Sequence, residues 1–248
     1  MAKGNIYQDL EKLSVGQIIK RLWRPEIFGR ERDWFATYIY APLGVLISAP
    51  LVKTPIGPTA INILSLIFAI LAAPLFATGV YKYILLGGLF VQISMILDNV
   101  DGTLARAKKM SSHLGAWQDV MSDIIGNNFI LTGISFGLYF QTQDILMFLW
   151  GALALFAVNM TTFVYFTRET FLKGLLIAQT SEVKRALGPL KIKPQYLILT
   201  GNFQFFLYGV GALFNKLLWV LWLLIIFQNL YWLGNALFVY RYAKKQKL

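Results

Sequence analysis

The chain has 248 residues, of which 57% are hydrophobic and 14% are charged, and its mean hydropathy is +0.58. This composition excludes an ordinary soluble domain, and the long unbroken apolar runs exclude a β-barrel, whose strands alternate apolar and polar residues. The absence of cysteine and the single histidine, His113, exclude disulfides, thiolate nucleophiles and metal sites made mainly of imidazoles. Any reactive groups must be carboxylates, hydroxyls or amines.

The first 58 residues are predicted to form a cytoplasmic or interfacial N-terminal region. Asn5 to Asp33 is mixed and charged, and it lacks the apolar stretch and small-residue cleavage site of a secretory signal. Trp34 to Val52 is apolar but contains Pro42 and Pro50, each of which removes a backbone donor. We interpret this segment as an N-terminal amphipathic helix lying in the membrane interface rather than crossing the membrane.

Residues 59–248 are predicted to form one domain of six transmembrane helices, because each crossing needs about 20 mainly apolar residues. The fold class is therefore an all-α integral membrane protein. Four spans are uncharged: Thr59 to Tyr81, Ile145 to Thr167, Pro194 to Asn215, and Leu217 to Leu237 and beyond. Two more, Tyr83 to about Leu104 and Leu114 to Tyr139, each contain two aspartates.

The basic residues predict the orientation, since cytoplasmic segments attract Lys and Arg. The net charge is +11, and six spans place all but Lys82 and Lys216 of the 23 basic residues on one side. We therefore expect both termini on the cytoplasmic side. The positive net charge is explained by this topology and by affinity for anionic lipid, rather than by nucleic-acid binding. The longest loop, Arg168 to Lys193, mixes apolar and basic side chains and favours a short amphipathic surface helix.

Four aspartates in two consecutive apolar helices are the strongest functional signal. An ionised side chain costs at least about 2.5 kcal/mol at mid-bilayer, so these acids require compensation. Asp98 and Asp101 lie about 60° apart around a helix and Asp119 and Asp123 about 40° apart, so that each pair shares one face. Converging carboxylates favour Mg²⁺ or Mn²⁺, and such ions suit a phosphoryl substrate. The alternative is that the acids form interfacial salt bridges with the basic residues of the intervening loop.

The same stretch has a recognisable spacing, in which eight positions are specified within 26 residues: Asp98-x2-Asp101-Gly102-x2-Ala105-Arg106-x8-Gly115-x3-Asp119-x3-Asp123. It resembles the complete signature of the CDP-alcohol phosphotransferases. The six helices and the preceding interfacial helix are also similar to that family. One local difference is that Thr59 follows Pro58 at the start of the first span and Asn62 comes later, whereas relatives often have Pro-Asn there.

The resemblance implies a metal-dependent enzyme of phospholipid biosynthesis. The donor would be a CDP-alcohol such as CDP-diacylglycerol, and an acceptor hydroxyl would attack the phosphorus that bears the alcohol and release CMP. The family's metal positions fall on Asp98, Asp101, Asp119 and Asp123, and Asp123 is also its general base. The nucleotide-binding positions are Asp98, Asp101, Gly102, Ala105, Arg106, Gly115 and Asp119. A homodimer is likewise implied.

Several of these residues have a second interpretation. Gly102, Ala105 and Gly115 suit close approach of a nucleotide, but small residues also allow tight helix packing. Arg106 could bind phosphate or mark the cytoplasmic end of its helix. Asn127, one turn beyond Asp123, could orient that carboxylate or join two helices.

The acceptor is less well defined by the sequence. Arg168, Lys184 and Arg185 could form an anion pocket for an acceptor that carries phosphate, as inositol phosphate or glycerol phosphate does, although topology alone also explains them. The long, basic N-terminal region resembles inositol-phosphate-using members, which keeps soluble CDP-inositol open as a donor. Outside this family, the carboxylates could form the site of a divalent-cation transporter, or the chain could be an inactive scaffold.

Overall fold

The structure, a computed structural model, describes Tyr7, residues 9–28, residues 33–171 and residues 201–246. Within these ranges every regular element is a helix, which confirms the predicted all-α class. After a 3₁₀ turn at Leu10–Lys12, the α-helices are α1 (Val15–Ile27), α2 (Ala41–Leu51), α3 (Pro58–Ala77), α4 (Tyr81–Ala107), α5 (His113–Thr142), α6 (Leu146–Phe171), α7 (Gly201–Leu213) and α8 (Leu217–Gln246).

The chain is a multi-pass membrane protein by the length and composition of its helices. Four segments are long and apolar enough to cross a bilayer: Pro58–Ala77, Tyr81–Ala107, Leu146–Thr167 and Leu217–Arg241. Helix α5 has 30 residues but carries many polar side chains, and α7 is described only from Gly201 onward. The prediction of six spans and a cytoplasmic site therefore remains a prediction.

Helix α1 is a charged helix that the sequence analysis did not predict. Ser14 begins it with a capping box, in which its side chain accepts from the Gln17 backbone N–H and the Gln17 side chain accepts from the Ser14 N–H. Ile18 and Leu22 are buried, while most of the neighbouring polar residues are exposed. Helix α1 therefore has one buried apolar face and one exposed polar face, as an amphipathic helix does.

The apolar segment from residue 34 to 51 is helical, and its prolines shape it. A π-turn at Ala36–Tyr40 ends two residues before Pro42, and the Ala41 N–H bonds to the carbonyl of Ala36, five residues back. A proline ring clashes with the carbonyl four residues earlier, and the wider turn relieves that clash. Pro50 lies in the last turn, and α2 ends at Leu51. The location of this segment in a membrane interface remains a prediction.

Helices α3 and α5 pack with their backbones in direct contact. A Cβ added at Gly133 would collide with the Ala73 carbonyl, and one at Gly137 would collide with the Phe76 carbonyl. At Gly126 an added Cβ would lie 3.0 Å from the Ala69 Cβ. Small residues permit this approach, which is the usual way in which membrane helices gain packing contacts. The pair α3 and α5 therefore forms a tight unit.

The connections α3–α4, α5–α6 and α7–α8 meet at one end of the bundle. The Gln141 side chain donates to the Gly79 carbonyl at 2.8 Å, and the Tyr81 hydroxyl donates to the Leu213 carbonyl at 2.9 Å. Lys82 and Lys216 lie at this end. The carboxylates lie toward the opposite end, where α4 finishes and α5 begins, as the predicted topology requires.

We expect Gly133→Ala to destabilise the protein, because the new methyl group would meet the backbone of α3, which cannot move aside as a flexible side chain can. Overpacking of this kind costs about 1–3 kcal/mol. The matched control is Gly234→Ala in α8, where nothing lies within 4 Å of the added Cβ. Thermal unfolding in detergent should show a lower midpoint for Gly133→Ala alone; equal midpoints would contradict the close approach.

Candidate active site

Three of the four predicted carboxylates converge at one point. Asp98 and Asp101 come from the C-terminal part of α4, and Asp119 comes from the N-terminal part of α5. One oxygen from each carboxylate lies within 4.8 Å of the others, and Asp101 is only 8% exposed. These three side chains meet as the spacing of three residues in α4 and the short loop between the helices predict, because two faces of neighbouring helices lie together.

The cluster fits a hard divalent cation. The Asp101 Oδ2 atom is buried and has no hydrogen-bond partner among the residues that the structure describes. Buried polar atoms are nearly always paired, so an unpaired carboxylate oxygen on a residue of a three-carboxylate cluster fits a group that could hold a cation. An all-oxygen donor set suits Mg²⁺ or Mn²⁺.

Asp123 lies beside this cluster rather than within it. The residue is exposed, and it lines a narrow cleft together with Asp98, Ser65, Ser94 and Ser122. The cleft has a volume of about 10 Å³, which is room for about one water molecule. Asp123 therefore shares the narrow cleft with Asp98 but does not belong to the three-carboxylate cluster.

Asn62 of α3 forms side-chain hydrogen bonds with two residues of α5. Its Nδ2 atom donates to Asp119 Oδ1 at 3.5 Å, and its Oδ1 atom accepts from the Ser122 hydroxyl at 2.8 Å. The structure thus gives this asparagine a role that the sequence left undefined. It also shows that the Ser122 hydroxyl is engaged by an amide, not by a base that could activate it.

A wider cavity of about 360 Å³ adjoins the cluster, which is within the usual size range of a small-molecule pocket. Residues of α3, α4, α5 and the α4–α5 loop line it. Six of the eight signature positions are among them: Asp101, Gly102, Ala105, Arg106, Gly115 and Asp119. The remaining two, Asp98 and Asp123, line the narrow cleft. The signature therefore surrounds two adjoining cavities.

The small signature residues face the wide cavity. A Cβ added at Gly102 would lie 3.1 Å from Nη1 of Arg106, and one at Gly115 would meet only the Ser112 hydroxyl, at 3.3 Å. Neither glycine contacts the backbone of a neighbouring helix, in contrast to the glycines further along α5. Of the two interpretations, space for a ligand fits these positions better than helix packing.

Arg106 forms a buried ion pair with Glu26 of α1. Its Nη2 atom lies 2.6 Å from Glu26 Oε2, and its Nε atom lies 3.0 Å from both carboxylate oxygens. The Glu26 side chain is fully buried, and the Tyr7 hydroxyl also donates to it. Glu26 is a site residue that was not predicted from the sequence. The signal was its position on the buried stripe of α1, four residues after Leu22.

Asn127 joins helices rather than orienting the Asp123 carboxylate. Its Oδ1 atom accepts from Gln204 at 2.6 Å and from the Tyr208 hydroxyl at 3.2 Å, both on α7. Its Nδ2 atom donates to the backbone carbonyl of Asp123 at 3.1 Å. Of the two interpretations that the sequence allowed, the structure supports the interhelical one. His113 is exposed at the first residue of α5.

The predicted acceptor residues lie outside the described part of the structure. Lys184 and Arg185 are in the undescribed range 172–200, as is most of the predicted surface helix in the loop. Arg168 belongs to α6 by its backbone, but its side chain is not among those described. The anion pocket therefore stays a prediction.

Comparison with known proteins agrees with the signature. The model of the CDP-alcohol phosphatidyltransferase family matches residues 58–227. The "Bifunctional IPC transferase and DIPP synthase" of Rubrobacter xylanophilus is 39% identical over 87 residues, which are 35% of this chain and 19% of the relative. The chain thus spans about a fifth of that relative's length. With more than half of its residues matched by the family model, the chain belongs to the CDP-alcohol phosphatidyltransferase family.

Proposed function

We propose that the protein transfers a phosphoalcohol group from a CDP-alcohol to an acceptor hydroxyl and releases CMP. The observation that carries this proposal is the arrangement of all eight signature residues around two adjoining cavities, with the carboxylate cluster between them. The wide cavity suits the nucleotide, and the narrow cleft beside Asp123 suits a hydroxyl group.

Asp98, Asp101 and Asp119 would hold Mg²⁺ or Mn²⁺, as the partnerless Asp101 oxygen supports. A bound divalent cation neutralises negative charge on the diphosphate and on the departing CMP. Asn62 keeps the Asp119 carboxylate in place through its amide. The protein contributes three carboxylate oxygens that are already held close together before the cation binds.

Asp123 would act as the general base. Its carboxylate, which lines the narrow cleft, would accept the proton of the acceptor hydroxyl as the hydroxyl oxygen forms a bond to the phosphorus that bears the alcohol. The bond between that phosphorus and the CMP oxygen breaks, and the electron pair leaves with CMP. A covalent enzyme intermediate is unnecessary, which agrees with the engagement of the Ser122 hydroxyl by Asn62.

CDP-diacylglycerol is the donor that we favour. Met110 is 54% exposed and Leu114 is 65% exposed, and both line the wide cavity of a membrane protein. Such apolar side chains at the edge of a nucleotide pocket suit a donor that carries acyl chains. Soluble CDP-inositol is the second candidate because of the long basic N-terminal region.

We further propose that the site faces the cytoplasm and that the protein forms a homodimer.

The substrate test uses purified protein in lipid nanodiscs with Mg²⁺ and a mixture of polar alcohols and their phosphates. CDP-diacylglycerol and CDP-inositol are supplied in separate reactions, and the products are identified by mass spectrometry. A lipid product supports the first donor, and a soluble phosphodiester supports the second. Cation flux into liposomes, with no CMP release from either donor, would support the transporter alternative and reject the transferase.

Asp123→Asn should nearly abolish CMP release while leaving the fold intact, because the amide cannot accept the acceptor proton. We expect a loss of at least about 100-fold in kcat. Ser122→Ala is the control in the same cleft, with a loss below about tenfold, since it removes a neutral hydrogen bond to Asn62 and no proton acceptor. The measurement is the rate of CMP release at saturating donor and acceptor. Full activity of Asp123→Asn would remove the base assignment.

Asp101→Asn should weaken Mn²⁺ binding by at least about tenfold, because it removes a charged ligand from a three-carboxylate cluster. Electron paramagnetic resonance of free Mn²⁺ measures this affinity without substrate. Asp144→Asn is the matched control: Asp144 lies at the opposite end of the bundle, where its Oδ1 atom accepts from the Leu146 N–H at 2.9 Å. Equal affinity for the two variants would place the ion elsewhere.

A further inference from the structure

We infer that Glu26 is a positioning residue for nucleotide binding, which holds Arg106 so that one edge of its guanidinium faces the wide cavity. The inference rests on the proposed function, since it concerns the same pocket. It brings the N-terminal helix α1 into a site that the family signature confines to α4 and α5.

The hydrogen bonds of Arg106 divide its guanidinium into an occupied edge and a free edge. Nε and Nη2 face Glu26, and Nη2 also donates to the Thr103 hydroxyl at 3.3 Å. Among the described residues, none accepts a hydrogen bond from Nη1. A guanidinium has five donors in a fixed plane, so fixing one edge also fixes the direction of the other.

The free edge lies at the cavity wall. Nη1 is 3.1 Å from the place where a Cβ on Gly102 would stand, and both Gly102 and Arg106 line the wide cavity. A nucleoside diphosphate in this cavity presents oxygen atoms that accept from such donors. The missing side chain at Gly102 leaves room for that contact.

Glu26 also gives Arg106 an ion-pair partner outside the carboxylate cluster. Asp101 and Asp119 line the same cavity as Arg106 and carry the opposite charge. A guanidinium without its own carboxylate would be attracted to them and would compete with a divalent cation. The ion pair with Glu26 balances the positive charge of Arg106, and Glu26 is not among the residues that line the cavity.

Stability alone is a poor explanation for the pair. A buried ion pair gains little over apolar side chains of similar size, because both charges lose their hydration. Helix α1 already packs through an apolar cluster that contains Ile18, Leu22 and Ile27 together with Val100 and Leu104 of α4. The apolar cluster therefore accounts for the packing of α1 against the bundle. The role that remains for the ion pair is to orient Arg106.

The test is a double-variant cycle on CDP affinity, measured by calorimetry with the full chain and saturating Mg²⁺. The four proteins are wild type, Glu26→Gln, Arg106→Lys and the double variant. Glu26→Gln should weaken CDP binding by about tenfold. In the Arg106→Lys background, the same change should have almost no further effect, because a residue that acts through Arg106 loses its influence there. Asp9→Asn, which breaks the exposed Asp9–Lys12 pair at 2.9 Å, is the control and should bind CDP as wild type does.

The outcomes separate this inference from the proposed function. Wild-type protein that is folded but does not bind CDP would overturn the proposed function and the inference with it. Binding that is normal in Glu26→Gln, or equally weakened in both backgrounds, would overturn the inference alone. If Glu26→Gln does not fold, Glu26→Asp replaces it: the charge is kept but the reach is shorter by one methylene, and unchanged CDP affinity would again reject the assignment.

Discussion

The direct contact between the backbones of α3 and α5 is the constraint on which the carboxylate cluster depends. Gly133 and Gly137 allow α5 to approach the carbonyls of α3, and the two helices run side by side from there to the cluster. At the other end of this pair, Asn62 reaches both Asp119 and Ser122. In a bilayer, where apolar burial does not drive helices together, such close packing is the main source of a fixed geometry.

The electrostatics of the site follow from where its positive charge is placed. The structure brings Asp98, Asp101 and Asp119 together, and the nearby Arg106 forms its ion pair with Glu26 instead of with them. The ion pair of the signature arginine is therefore made with Glu26 and not with a carboxylate of the cluster. This arrangement explains how a strongly basic chain can contain a strongly acidic pocket: the positive charge of Arg106 is satisfied by a helix outside the cluster.

The sequence was most informative where a pattern depends on neighbouring residues along the chain. The predicted span from Tyr83 to Leu104 corresponds to α4, Tyr81–Ala107, because polar or charged residues flank the apolar run. Spacings of three and four residues placed the aspartates on common helix faces. By contrast, Glu26 was hidden in a charged helix, and the partners of Asn62 and Asn127 depend on contacts between helices far apart in the chain. Such contacts leave no local pattern, and residues 172–200 lie outside the described structure.

The exposure of Asp123 has a consequence for chemical selectivity. A carboxylate that an alcohol can reach in the narrow cleft can also be reached by solvent, whose hydroxyl group is smaller than that of any acceptor. For the proposed transfer, hydrolysis of the donor is the competing reaction, and a base at Asp123 cannot by itself discriminate against it. Preference for synthesis over wasteful cleavage must come from the rest of the acceptor molecule, whose binding holds its hydroxyl in line while displacing solvent from the cleft.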